Sequence, residues 1–253
     1  MPAGTTGEAS TLSNAEHHRV IEVCIEQAAG RVPVIAGCGS NDTNNAILHL
    51  NFSKKSGAAA GLVVAPYYNR PNQEGIYAHF EAMTKKNDLP IVLYNVPART
   101  VTDIKPETVA RLAQLPTVIG IKDASGDMPR VTDHRLACGP DFCLLSGVDE
   151  QSLAFNAAGG RGCISVTANV APKLCAEFQA ACASGDYDLA RDLNDKLYPL
   201  HLALFSDASP GPIKYALSRV IDGFPTELRL PMTPPSEASR RQVDAALENA
   251  GLI

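Results

Sequence analysis

Six times in succession, a short apolar run rich in Val, Ile and Leu is followed by a stretch with helical periodicity. This alternation constrains the fold more than any single motif. The apolar runs cover residues 32–36, 61–65, 90–94, 117–122, 142–146 and 161–166, and the helical stretches that follow them cover 41–55, 73–86, 106–114, 128–137, 150–158 and 171–183. A further helix over 12–30 precedes the first run, with Ser13 as N-cap and Glu16 completing the capping-box spacing. The runs are apolar on both faces, as strands of a parallel sheet covered by helices must be. After residue 186 the strands stop, and residues 187–205, 210–221 and 236–250 read as three helices, the last preceded by the Pro-rich break at 230–235. The pattern predicts a βα-repeat domain over 1–186 and a C-terminal helical region over 187–253.

Composition narrows the function. A chain of 253 residues with 45% hydrophobic content can bury one large α/β core. The net charge is −5 and no run of basic residues exceeds two, which argues against a nucleic-acid partner. No apolar stretch reaches the ~20 residues that span a bilayer, so no membrane partner is expected. The seven cysteines, Cys24, Cys38, Cys138, Cys143, Cys163, Cys175 and Cys182, form no Cys-x-x-Cys pair. Their odd number and the lack of a signal-type N-terminus point to a reduced, cytoplasmic protein. The six histidines show no metal-ligand spacing, so no metal is expected.

Two folds fit a βα repeat. A doubly wound sheet calls for a Gly-rich phosphate loop, but Gly37-Cys38-Gly39-Ser40-Asn41-Asp42 lacks a third glycine and reads as a turn with Ser40 as N-cap. A barrel puts its chemistry at the C-terminal ends of several strands, and there stand Tyr94, Lys122 and Ser146. This favours the barrel. Strand alternation sets Val118, Gly120 and Lys122 on one face, where Gly120 is expected to leave room for the lysine. Burial disfavours an ammonium, and a neutral amine is what attack on a ketone requires. Taken singly, most strand-end lysines are solvated. A tyrosine such as Tyr94 is more often core than proton relay, and Arg99 has the look of an ordinary surface arginine. Gly4-Thr5-Thr6-Gly7-Glu8 is either a carboxylate cradle or a plain turn before a helix. Tyr67-Tyr68 covers apolar surface more often than it does chemistry.

Together these segments resemble the dihydrodipicolinate synthase family. The matching pieces are Gly4-Thr5-Thr6-Gly7-Glu8, Pro66-Tyr67-Tyr68-Asn69-Arg70-Pro71, Leu93-Tyr94-Asn95-Val96-Pro97 with Arg99, and Ile119-Gly120-Ile121-Lys122. Leu145-Ser146-Gly147, the stretch 162–170 and Leu230-Pro231-Met232-Thr233-Pro234 add to them, in the family's order along the whole chain. The resemblance implies a (β/α)8 TIM-barrel fold and a lyase that condenses pyruvate with aspartate-4-semialdehyde, on the way to diaminopimelate and lysine, with no cofactor. By carry-over, Lys122 forms the imine, and Tyr94, linked to Thr5 and Tyr68, relays protons. Thr6 takes the pyruvate carboxylate, Arg99 the semialdehyde carboxylate, and Gly147 and Ile164 line the pocket. Tyr68 reaches a neighbouring subunit in the family, so a homo-oligomer, dimer or tetramer, is implied. A lysine effector site is implied at Ser10, His17, Asn41, Asn45 and Tyr67, with Asn45 where the family often has a carboxylate.

The family places roughly forty residues of βα structure before the Gly4 motif, whereas Met1-Pro2-Ala3 alone precede it here. The barrel is therefore expected to be N-terminally truncated, with its first strand, first helix and most of its second strand absent. Two other readings compete with the synthase. One is a sister pyruvate-dependent aldolase acting on a sugar acid; the other is a truncated homologue with little or no activity.

Overall fold

A computed structural model describes residues 1–253, which pack as two compact units. The first comprises Met1–Gly147 with Ala158–Arg161, and the second Val148–Ala157 with Gly162–Ile253. In the first unit, strands β1 (Ile35–Gly37), β2 (Ala60–Val64), β3 (Ile91–Asn95), β4 (Val118–Asp123) and β5 (Cys143–Ser146) lie side by side in chain order. Each pair is parallel, with Gly61 opposite Ile91, Tyr94 opposite Lys122 and Asp123 opposite Ser146. Parallel neighbours joined by helices are what the βα alternation predicts.

The helices of this unit are α1 (Asn14–Ala28), α2 (Thr43–Ser56), α3 (Gln73–Lys86), the single turn α4 (Pro97–Thr100), α5 (Pro106–Leu112) and α6 (Pro129–Cys138). The capping box of α1 is as predicted. The Ser13 hydroxyl accepts from the Glu16 amide at 3.3 Å, and the Glu16 carboxylate accepts from the Ser13 amide at 2.8 Å. Such a cap contributes about 1 kcal/mol. At α2 the expectation fails. Asp42, not Ser40, caps the helix, accepting from the amides of Asn44 and Asn45, while Ser40 accepts from the Asp42 amide. Both residue types cap helices, so the sequence leaves the choice to the backbone path. The first strand also begins later than the apolar run, because Val32 and Pro33 are exposed and pairing starts at Ile35.

Gly120 shows why β4 and β5 lie so close. A Cβ on it would stand 2.4 Å from the carbonyl oxygen of Cys143. The space beside Gly120 is filled by the neighbouring strand, which corrects the expectation that it makes room for Lys122. The core of the unit is apolar, with Ile76, Phe80, Met83, Ile91, Leu93, Leu112 and Ile121 fully buried.

The second unit holds the two-residue strand β6 (Gly162–Cys163) and the helices α7 (Ser152–Ala157), α8 (Pro172–Ser184), α9 (Tyr187–Ala203), α10 (Gly211–Val220) and α11 (Glu237–Ala250). The run at 161–166 is thus strand for only two residues. Helix α8 shares one core with the C-terminal helices through Cys175, Phe178, Leu197, Leu200, Ile213, Val243 and Leu247. No helix is long and apolar enough to cross a membrane.

Helices α1 and α2 are joined by an unusual stack of imidazoles. The His17 and His49 rings lie parallel at 4.2 Å, His18 Nε2 is 3.2 Å from His49 Nδ1, and His18 stacks on Phe52 at 3.7 Å. Burial, then the neighbouring His17 and His18, push His49 down to about 4; burial pushes His79 on α3 down to about 4. The unfolded chain binds these protons near pH 6.5, so between about pH 6.5 and 4 it holds more protons than the fold and stability falls as the pH is lowered. The melting temperature is expected to drop across that window. His49→Leu is expected to flatten the drop; an unchanged pH slope in this variant would contradict the assignment.

Candidate active site

The C-terminal ends of β3 and β4 bring together two side chains that are far apart in sequence. Tyr94 and Lys122 are register partners in a parallel pair, so both project from the same face. Each is only 8% exposed. The Lys122 amine lies 4.2 Å from the centre of the Tyr94 ring, within cation–π range. Ser146 is buried one strand further on, at the end of β5.

Gly147, next in the chain, is the glycine that accommodates the lysine. A Cβ there would stand 2.9 Å from Lys122 Cε and 2.7 Å from the Ala124 methyl. Its amide donates to the Asp123 carbonyl at 2.7 Å, holding the two strand ends together. The role expected of Gly120 therefore falls to Gly147.

The Gly4–Glu8 segment forms a tight turn. The Gly7 amide donates to Gly4 at 3.0 Å and the Glu8 amide to Thr5 at 3.1 Å, with Glu8 in the left-handed region at φ +54°. The turn is anchored to the sheet because the Gly37 amide of β1 donates to the Pro2 carbonyl at 3.0 Å. From there the Thr5 hydroxyl hydrogen-bonds the Tyr94 phenol. Burial raises the Tyr94 phenol above its ordinary value, while the Thr5 bond and the charge of Arg99 oppose that rise. Thr6, beside it, is half-buried. Arg99 is exposed on α4, its amide donating to the Val96 carbonyl at 2.9 Å.

The remaining expected residues differ widely in exposure. Tyr68 is 88% exposed and left-handed at φ +69°. Ile164 is half-buried and belongs to the second unit. Among the effector positions, His17 is buried, its Nε2 2.8 Å from the Gly37 carbonyl. Asn45 donates through its amide side chain to Ser40 Oγ at 3.4 Å, and the Asn41 carbonyl accepts from the Asn69 side chain at 2.9 Å. Ser10 is exposed, and Tyr67 is 37% exposed.

Sequence reasoning missed a polar network behind the Tyr94 strand end. Buried Asn95 donates to Asp103, and Arg130 grips the same carboxylate with two bonds, at 2.7 and 2.8 Å. Asp103 and Arg130 are 27 positions apart, and no local pattern links them. In the second unit, Asp149 accepts from Ser165 Oγ and the Val166 amide, beside a cavity of about 220 Å3 that His201 and Cys175 also line. None of the candidate catalytic, substrate-binding or effector residues lines it.

A model of the Dihydrodipicolinate synthetase family matches residues 1–250. The 4-hydroxy-tetrahydrodipicolinate synthase of Novosphingobium aromaticivorans is 71% identical over 255 residues, a match covering 100% of this chain and 86% of that protein. The enzyme of the same name from Erythrobacter litoralis is 69% identical, covering 100% and 87%. Among solved structures, the chloride-inhibited dihydrodipicolinate synthase of Acinetobacter baumannii complexed with pyruvate superposes with a TM-score of 0.95 at 44% identity, over 100% of this chain and 86% of that one.

The Thr5–Tyr94 bond gives a direct test. A hydroxyl that donates to a phenolate lowers its pKa, so Thr5→Val is expected to shift Tyr94 ionisation to higher pH. Ultraviolet titration of the two proteins, with Tyr94→Phe identifying the signal, measures the shift. An unmoved midpoint would mean that Thr5 does not hold the phenol.

Proposed function

This chain belongs to the dihydrodipicolinate synthetase family, and from that premise we propose that it condenses pyruvate with aspartate-4-semialdehyde through an imine on Lys122. The product is 4-hydroxy-tetrahydrodipicolinate, on the route to diaminopimelate and lysine. The observation that carries the residue roles is the pairing of a buried lysine with a tyrosine that is itself tied to Thr5.

The chemistry follows from these groups. The neutral Lys122 amine adds to C2 of pyruvate. Tyr94 delivers a proton to the departing hydroxyl, so water leaves and the C=N bond forms. Thr6 and the turn amides hold the pyruvate carboxylate. Loss of a C3 proton gives an enamine, whose C3 attacks the aldehyde carbon, and the new alkoxide takes a proton. The amine of the adduct then attacks C2, expels Lys122 and closes the ring. Arg99 grips the semialdehyde carboxylate, since a guanidinium binds a carboxylate with two charge-assisted bonds. Gly147, beside the Lys122 stem, borders the pocket.

Tyr68 completes the relay from a second copy of the chain. Its near-complete exposure in one subunit supports that role, and the working state is then a homo-oligomer, a dimer or tetramer. The cysteines are thiols, which suits a reducing cytoplasm. At the effector positions, Asn45 offers a dipole where a bound ammonium favours a carboxylate, so L-lysine inhibits weakly.

Incubation with pyruvate and borohydride is expected to leave a reduced pyruvyl group on the peptide containing Lys122. Labelling of another lysine, with Lys122→Ala still active, would overturn the assignment. Arg99→Ala is expected to cut kcat/KM for the semialdehyde roughly 100-fold, the loss of a charge-assisted contact, while pyruvate trapping persists. Turnover of a sugar acid but not of the semialdehyde would instead favour a sister aldolase.

A further inference from the structure

The loop that carries Arg99 is closed at both ends by side chains outside it. Asn95, fully buried at the end of β3, donates to Asp103 Oδ1 at 2.9 Å and accepts from the Ile104 amide at 3.0 Å. Residues 96–102 are thereby pinned into a short arch. Inside the arch, Thr100 Oγ1 donates to the carbonyls of Val96 and Thr102, and Val101 adopts the left-handed φ of +60°.

Asp103 is the keystone of this closure, and Arg130 holds it from the first turn of α6. The guanidinium reaches both carboxylate oxygens, with Nη1 2.7 Å from Oδ1 and Nη2 2.8 Å from Oδ2. Its Nε donates to Asp127 at 3.2 Å. Asp127 is held locally: its amide donates to Ser125 Oγ at 3.2 Å, and the Ser125 amide donates to Asp123, the residue after Lys122, at 2.7 Å. An unbroken set of polar contacts therefore links the Arg99 arch to the end of the Lys122 strand.

We propose that Arg130 is a positioning residue for recognition of the second substrate, acting through Asp103 on Arg99. This deepens the function proposed above and rests on it. Arg130 is unsuited to touching the substrate itself, because Nε, Nη1 and Nη2 are all committed to carboxylates and its side chain is 14% exposed. A bidentate pair fixes direction as well as distance. Without it the arch keeps Asn95, and Gln73 still donates to the Asp103 carbonyl at 2.8 Å, so the fold survives while Arg99 loses its fixed origin. Asp103, with its side chain 32% exposed, can then be solvated.

The test compares Arg130→Ala, Arg130→Lys, Arg99→Ala and the double variant Arg99→Ala/Arg130→Ala in the full chain. Arg130→Ala is expected to cut kcat/KM for the semialdehyde about tenfold, as one contact is loosened but not removed. The rate of pyruvate trapping by borohydride and the melting temperature should stay close to those of the unaltered chain. Arg130→Lys, which keeps the charge but not the fork, is expected to fall between. In the Arg99→Ala background the same substitution should cost less than about twofold, because a residue acting through Arg99 has nothing left to position. An undiminished tenfold loss in that background would overturn the proposal. So would an equal loss of pyruvate trapping and semialdehyde use. Should Arg130→Ala fail to fold, Asp103→Asn carries the same expectation and the same overturning results. If the unaltered chain does not trap pyruvate at all, the imine reading itself falls and this inference with it, before any substitution is compared.

Discussion

The site depends on an amine that is kept out of water at the end of a parallel strand. Lys122 is covered by the ring of its register partner Tyr94, and its stem occupies the space that Gly147 leaves open. A lysine there cannot sweep through solvent as surface lysines do. In the function proposed, its amine waits where a carbonyl carbon would arrive, and positioning of that kind supplies much of the advantage of a bound nucleophile. Every other feature of the site refers to this pair. Thr5 orients the phenol, Arg99 adds positive charge near it, and the Asp123 carbonyl ties the Lys122 strand to Gly147.

The fold makes this geometry cheap to reach. In a parallel sheet with strands in chain order, each strand ends on the same edge, so groups from distant parts of the sequence converge there without long excursions. Close approach of β4 and β5 at Gly120 sets Gly147 next to Lys122. At the other side of the sheet, pairing of Pro2 with Gly37 lands the Gly4–Glu8 turn at the end of β1, from which Thr5 reaches across to β3.

How much of this can be read in the sequence depends on the range of the interaction. Periodicity is local, so most strands and helices and the capping box of α1 are legible to within a residue or two; the first run pairs only from Ile35, three residues late, and of the run at 161–166 only Gly162–Cys163 is strand. The choice between Ser40 and Asp42 as cap is not, because both side chains can accept an amide and only the path of the loop decides. The pairing of Tyr94 with Lys122 follows from two strand ends that a parallel sheet must align. What Gly120 and Gly147 each do depends on which neighbour comes near, and that is a tertiary fact. The Asn95–Asp103–Arg130 network has no local signature for the same reason: an aspartate in a loop and an arginine on a helix are ordinary residues until packing joins them.

In the function proposed, Tyr94 and Lys122 act as one unit. The test is the rate at which pyruvate forms the imine in Tyr94→Phe, a change that keeps the ring over the lysine and removes only the hydroxyl. If Tyr94 moves the proton that lets water leave, imine formation should slow by roughly 100-fold or more, the usual scale of a lost general acid, with the adduct still on Lys122. An unchanged rate would show that the phenol plays no part in imine formation and that the contact between the two side chains is packing alone.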